Sequence, residues 1–410
     1  MAGDFDSLRE KAFFDLFQDY FDLEKDVGKQ HDPQNYSLDR MYPLAALAGN
    51  PERKLKIIHV AGTKGKGSTC FYLTALLNAA GHSCGVFTSP HLLTVRERFQ
   101  VNNQLLSYDV LEAAAIPLCQ RIKAAGLHPS LFEIFTLLAL QLFAQGGLEY
   151  AVLETGIGGL LDATNYVPDK IATAITPLSF DHTALLGNTI EEIALQKAGI
   201  LRPGVPVILA KQPYPEAEKT VLARAKELGA PAFRPQFNNA LVNLLPNNKI
   251  LFLQDNLQVA YRVIEVLGLH PDLGRFHPPV LRARFEVLRD EPPVILDAAH
   301  NADSARQLAR AVAAAYPDRH FVCVLGCVPG KDVRGIVSAL KSMDAEFILT
   351  NPDTPRGSAL PQLVDEAQRN GLKVREVKEK IASPDDLPAE QPLLFTGSFF
   401  TALIGAKLFG

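Results

Sequence analysis

The sequence predicts an α/β protein: an N-terminal domain on a doubly wound, mainly parallel sheet, followed by a smaller α/β domain. Three observations predict it. Short apolar runs with the length of buried strands alternate with helical patterns almost throughout. The alternation pauses across a Pro-rich, charged stretch, "HPDLGRFHPPVLRARFEVLRDEPP", and then restarts. The first strand-like run feeds a glycine-rich loop and then a helix, and such β-α units place ligands at the C-terminal ends of parallel strands.

Taken in order, "MAGDFDSLREKAFFDLFQDYFDLEKD" repeats Phe and Leu at helical spacing and reads as an amphipathic helix that packs on the first domain. Residues 54–61 form a buried strand. The helix over 66–80 puts Cys70, Leu73, Leu76 and Leu77 on one side and stops at Gly81. "CGVFTS", "YAVLET", "IATAIT" and "VPVILA" are further strands. "TIEEIALQKAGI" is a helix in which Thr189 is the N-cap and Glu192 stands three residues on. Residues 232–253 read as short strand-like pieces around the turn "PNNK", and a helix follows over 255–267. The Pro-rich stretch reads as an interdomain connection, giving domains at 1–290 and 291–410. In the second, "VILDAAH", "FVCVLG", "EFILT" and "KVREV" alternate with helices before the final "PLLFTGSFFTALIGAKLF".

Composition excludes several classes. The chain of 410 residues has 47% hydrophobic and 21% charged residues, ordinary for a globular protein and unlike a disordered one. A net charge of -4 argues against a nucleic-acid or anionic-membrane partner. The N-terminus has no apolar core of a signal peptide. "LFEIFTLLALQLFAQGGL" carries Glu133 and Gln141 and breaks at Gly146-Gly147, which suits a buried helix better than a membrane span. Five cysteines without C-x-x-C spacing suggest free thiols in a reducing, cytoplasmic setting, with Cys323 and Cys327 packed in a core strand.

The loop "HVAGTKGKGST" departs from the common phosphate-loop spelling G-x-x-x-x-G-K-[ST], since Val60 stands where the first Gly belongs and Gly67 where the Ser/Thr belongs. Even so, a strand running into Gly62, Thr63, Lys64, Gly65, Lys66, Gly67 and Ser68 and then a helix presents backbone N–H groups and a helix N-terminus to an anion. Lys64 and Lys66 add charge, and Ser68 or Thr69 offers a hydroxyl. A plain glycine-rich turn with surface lysines is the alternative, and the correct flanking elements disfavour it.

Other strand ends carry chemistry too. In "LETGIGGLLDATN", Glu154 ends a buried strand and Asp162 follows a Gly-rich turn; a carboxylate there suits Mg²⁺, or equally a turn cap. "SFDHTALLG" offers Asp181 and His182, and "QKAGILRPG" places Lys197 near a helix C-terminus, where the helix dipole favours a lysine anyway. Each is weak alone; their shared position after successive strands is the stronger signal.

"GTKGKGS", "TSPHLLTVRERF", "ETGIGGLLDATN", "DHTALLGNTIEEIALQKAGI", "RFE", "LDAAHN" and "FTGSFF" occur in the order found in folylpolyglutamate synthases and dihydrofolate synthases of the Mur ligase superfamily, which this chain resembles from about residue 37 to 402. That superfamily's G-T-x-G-K loop accounts for the compressed spelling. The resemblance implies a P-loop-type first domain and a Rossmann-like second one acting as glutamate ligase. It implies an ATP-dependent ligase that activates a folate or dihydropteroate carboxylate as an acyl phosphate and joins L-glutamate to it. Lys66 would hold the ATP phosphates with the amides of Gly65 to Ser68. Ser89 and Glu154 would ligate one Mg²⁺ and His182 a second. Lys197 matches a position carbamylated in many members, which turns a cation into an anion able to face a metal. Asn256 resembles an adenine contact, and Arg284, Asp297, His300 and Ser398 would serve the nucleotide from the second domain or hinge. The resemblance also implies a monomer with small-molecule partners only.

Three departures from the family pattern bear on geometry. Ala298 and Ala302 replace Gly and Pro in "DAAHNA", and Ala298 puts a methyl where backbone passes closely. Leu160 and Leu161 follow the glycines of "GIGG", where a basic residue is often found. Asn103 replaces a Gly, a mild change because Asn tolerates a left-handed backbone. Two rival classes stand beside this reading, a P-loop ATPase or switch without ligase activity and a non-catalytic folate- or nucleotide-binding relative, and a third possibility is a superfamily ligase acting on a non-folate acid.

Overall fold

Among the described residues eight strands make the first sheet: β1 (Lys56–Ala61), β2 (Cys84–Phe87), β3 (Phe99–Val101), β4 (Gln104–Leu105), β5 (Tyr150–Glu154), β6 (Ala172–Ile175), β7 (Val207–Leu209) and β8 (Ala232–Phe233). The computed structural model describes residues 2–22, 35–352, 354 and 357–410, so Met1 and residues 23–26 of the N-terminal helical reading lie outside it. The strand order is β4-β3-β2-β5-β1-β6-β7-β8, with antiparallel pairing only at β2–β3 and β3–β4. The chain leaves β1 toward β2 on one side and later crosses to β6 on the other. That reversal opens a crevice at the C-terminal ends of β1, β5 and β6.

Both faces of this sheet are covered, as the near-continuous apolar strands require. Ile57 to Ala61 and all of β5 are buried. One face packs Phe87, Phe99 and Phe135 with Phe13 and Phe17 of the N-terminal segment, whose helix spans Ala2–Asp15. The Phe17 and Phe135 rings meet edge to face at 5.2 Å. Packing of this segment on the first domain is therefore as the sequence reads. The other face packs Ile175, Leu209, Ile190 and Val221.

The chain divides into two compact units, Met1–Pro246 with Leu253–Pro279, and Asn247–Phe252 with Val280–Gly410. The second holds a sheet of β9 (Glu286–Asp290), β10 (Pro293–Leu296), β11 (Phe321–Leu325), β12 (Ala345–Thr350), β13 (Val374–Lys378) and β14 (Leu393–Thr396) in the order β13-β12-β11-β14-β10-β9. It is parallel apart from β9 against β10.

Two local expectations are corrected. The Pro-rich stretch is more than a connection, because its end forms β9; a half-exposed edge strand tolerates the charges that hid it. The strand-like pieces around "PNNK" reduce to β8, followed by a short helix, Asn239–Val242, and a long one, Leu251–Val266, that begins before residue 255. There the Asn238 side chain accepts the N–H groups of Ala240 and Leu241, so capping chemistry overrides the apolar alternation. Elsewhere, Thr189 and Glu192 form the expected capping box on the helix Ile190–Ala198. Among the described residues no helix is long and apolar enough to cross a membrane. Cys70, Cys84, Cys119, Cys323 and Cys327 are free thiols.

Candidate active site

Strand register brings the first group of residues level. Val60 pairs with Glu154 and Ala61 with Ile175, so the loop after β1 starts beside the Glu154 carboxylate and the segment after β6. That loop is pinned at its start. The N–H groups of Thr63 and Lys64 donate to the Pro177 carbonyl at 3.1 and 3.2 Å. The Thr63 hydroxyl donates to the Ser179 carbonyl and accepts from the Ser179 N–H, both at 3.1 Å. Gly62 is obligatory by packing: a Cβ there would lie 1.8 Å from Thr176 Oγ1.

Gly65 follows with φ of 77°, the left-handed residue that precedes the helix Lys66–Ala79. A Cβ on Gly65 would meet Asn256 Oδ1 at 2.1 Å, so the Asn256 side chain lies directly over the loop. Lys66 begins the helix, and its ammonium stands 3.9 Å from Glu154 Oε1. Gly67 faces the same carboxylate, since a Cβ there would be 3.2 Å from Glu154 Oε2. Ser89, just beyond β2, donates its N–H to Glu154 Oε2 at 3.0 Å. Glu154 thus gathers residues from three strand ends at one point.

Lys197 reaches the loop from the end of its helix, donating to the Gly62 carbonyl at 2.8 Å. Burial pushes its ammonium down to about 7, and the Lys66 charge pushes the same way against Asp181 and Asp162. His182 has a left-handed backbone, φ 50°, and its Nε2 lies 3.9 Å from Asp181 Oδ1. Asp162 has a different task. It accepts the N–H groups of Ile157 and Thr164 at 3.0 Å and the Thr164 hydroxyl, holding the Gly-rich turn; burial raises its pKa. His59 joins this network through Thr164 at 2.7 Å. The sequence signalled none of the tethers from Pro177, Ser179 or Thr176, which are backbone contacts or a hydroxyl without a spacing rule.

In the second unit, Arg284 and His300 meet at the Phe399 ring. The Arg284 guanidinium lies over that ring at 4.6 Å and the His300 ring is 6.3 Å away. Ser398 caps the helix Phe399–Phe409, accepting the Thr401 N–H at 3.0 Å. Asp297 accepts the N–H groups of Phe285 and Ala299, each at 2.9 Å. Ala298 is buried, and its N–H donates to the Ala283 carbonyl at 3.0 Å. Asn103 has φ of 59°, the conformation its replacement of Gly requires, and Ala302 starts its helix behind the Asn301 cap.

The loop's own side chains fit a triphosphate with magnesium. Ser68 and Thr69 bury hydroxyls that have no hydrogen-bond partner among the described residues, inside the first helical turn. Among those residues no cluster of three or more His, Cys, Asp or Glu could hold a metal. Magnesium bound with nucleotide needs only one or two carboxylates, the rest being phosphate oxygens and water.

A nucleotide-phosphate loop and a second α/β unit define the class, and comparison narrows it. The sequence model of the Mur ligase, glutamate ligase domain, matches residues 283–398. The dihydrofolate synthase/folylpolyglutamate synthase of Escherichia coli is 33% identical over 384 residues, 89% of each chain. That of Bacillus subtilis is 28% identical over 406 residues, 88% of this chain and 92% of its own. Among solved structures, E. coli FolC in complex with DHPP and ADP superposes with a TM-score of 0.78 at 30% identity, covering 91% of this chain and 93% of that one. Mycobacterium tuberculosis folylpolyglutamate synthase complexed with ADP and AMPPCP gives 0.79 at 29% identity, covering 91% and 95%. The chain belongs to the dihydrofolate synthase/folylpolyglutamate synthase family.

Proposed function

We propose that this protein joins L-glutamate to the carboxylate of a folate or dihydropteroate, using ATP and releasing ADP and phosphate. What carries the reading is the convergence of Lys66, Gly67 and Ser89 on the Glu154 carboxylate beside a left-handed Gly65. In this reading Lys66 and the amides of Gly65 to Ser68 grip the ATP phosphates, with Gly62, Thr63 and Lys64 shaping the loop and Asn256 beside the base. Ser89 and Glu154 hold one Mg²⁺; His182 and a carbamylated Lys197 hold a second. Magnesium there would neutralise charge on the transferring phosphoryl group. Arg284, Asp297, His300 and Ser398 are the second-unit residues that this reading assigns to the nucleotide.

The phosphoryl group passes from ATP to the acceptor carboxylate, the glutamate amine attacks the resulting acyl carbon, and phosphate leaves as the amide forms. No protein nucleophile is needed; the residues position reactants and stabilise charge. The protein acts as a cytoplasmic monomer. An assay with Mg·ATP and L-glutamate, offering dihydropteroate or tetrahydrofolate, should yield ADP only when acceptor and glutamate are both present. Lys66→Ala and Glu154→Gln should each abolish turnover in folded protein. ADP formed at the same rate without acceptor would leave an ATPase instead.

A further inference from the structure

The segment from Ser89 to Val95 leads from the Glu154 contact to a short 3-10 helix, Val95–Arg98. Two carboxylates satisfy its successive amides. Glu97 accepts the N–H groups of Leu92, Leu93 and Thr94 at 2.7, 2.9 and 3.2 Å, a local tie from the adjoining 3-10 helix. The next amide, Val95, donates to Glu10 Oε1 at 2.9 Å. Glu10 comes from the N-terminal helix, far away in sequence. Its Oε2 accepts the Thr94 hydroxyl at 2.9 Å and the Tyr108 hydroxyl. Its Oε1 also lies 3.9 Å from His91 Nε2, while His91 Nδ1 accepts from Arg98 Nε at 2.8 Å.

Glu97 fixes the shape of the segment from the adjoining 3-10 helix, a tie between near neighbours in the chain. Glu10 adds a tie to a separate element. Its helix is anchored through Phe13, and the turn after it through Phe17, both buried against Phe135. Its carboxylate lies at the N-terminus of the 3-10 helix, where negative charge is favoured. We propose that Glu10 is a positioning residue for the ligation reaction: it ties the Ser89–Val95 segment to the N-terminal helix and so sets Ser89 against Glu154. The proposal rests on the roles of Ser89 and Glu154 given above.

The test compares Glu10→Ala and Glu10→Gln with Arg9→Ala, which removes the neighbouring pairs with Asp109 and Glu112 on the same helix. Amide hydrogen exchange by mass spectrometry reads the tether without any activity. Glu10→Ala should speed exchange at residues 92–95 while the sheet strands keep their protection. It should lower kcat by roughly ten- to a hundredfold, the cost of a small misplacement, and raise the half-saturating Mg²⁺ concentration, leaving the KM for glutamate unchanged. A smaller folded fraction would not move the Mg²⁺ value. Glu10→Gln keeps an oxygen for Val95 N–H and should recover part of both effects, and Arg9→Ala should match the wild type. Unchanged exchange at 92–95 in Glu10→Ala, or faster exchange spread evenly over the protein, overturns the tether. An unchanged Mg²⁺ dependence overturns its role in the reaction. Should the wild type form ADP without acceptor or glutamate, the ligase reading fails on its own, while the exchange result still decides the tether.

Discussion

The Lys197 ammonium donates to the Gly62 carbonyl across 2.8 Å, joining the end of one helix to the first residue of the phosphate loop. Burial and the Lys66 charge lower its pKa from the ordinary 10.5 to about 7, so a neutral amine is available near physiological pH. Only the neutral amine captures CO₂. Carbamate at Lys197 should therefore rise with pH through about 7, and added bicarbonate should raise activity more at about pH 8 than at about pH 6. The same shift means the unfolded chain holds an extra proton between about 7 and 10.5, so stability from this group rises with pH over that window. Carbon NMR with isotope-labelled bicarbonate checks the adduct; fully active enzyme with no carbamate signal above neutrality would rule it out.

Gly65 and Asn256 are packed so closely that they should behave as one unit. In Gly65→Ala the new methyl overlaps the Asn256 amide and the backbone must keep a left-handed φ, which for alanine costs about 1–2 kcal/mol. Affinity for a non-hydrolysable ATP analogue, measured by calorimetry, should fall. The loss should be smaller when Gly65→Ala is made on an Asn256→Ala background, because only the backbone strain then remains. Equal losses on both backgrounds would show that the overlap is relieved elsewhere.

Asp297 offers a titration that reads the second unit alone. Burial pushes its carboxyl up to about 6, opposed first by Arg284 and then by the two N–H donors. Because the folded value is raised, this group's cost is absent below the ordinary 3.8 and sets in as pH climbs toward about 6, so stability falls across that window. Arg284→Gln removes the main opposing charge and should move the Asp297 titration, followed by NMR, to higher pH. A midpoint that stays put would mean that Arg284 does not govern it.

Much of this was legible because parallel strands and phosphate loops leave local signatures. β1, the helix Lys66–Ala79 and the Thr189 capping box follow from apolar runs, glycines and a spacing of three. Glu154 was legible as a strand-end carboxylate, with its role open between cap and ligand; only register shows Lys66 and Ser89 meeting it. β9 was hidden because an edge strand exposes one side and carries Glu286, Arg289 and Asp290 like a linker. Glu10 was illegible for a different reason: its partners, Thr94 and Val95, lie 84 and 85 positions away, and no periodicity spans that distance.

That long-range tie makes the N-terminal helix part of the first unit's stability, which a truncation of its anchor should expose. Phe13 is fully buried, with its ring 5.1 Å from Phe17 and 6.2 Å from both Tyr108 and Phe135. Phe13→Ala removes a ring from a close-packed aromatic cluster and should cost about 3–5 kcal/mol of unfolding free energy. Leu8 lies on the same helix but is 67% exposed, and Leu8→Ala should stay within about 0.5 kcal/mol of wild type. Urea unfolding of the three proteins measures both. If Phe13→Ala unfolds at the wild-type midpoint, the helix is an appendage rather than part of the core. Glu10 would then have no fixed base from which to hold Val95.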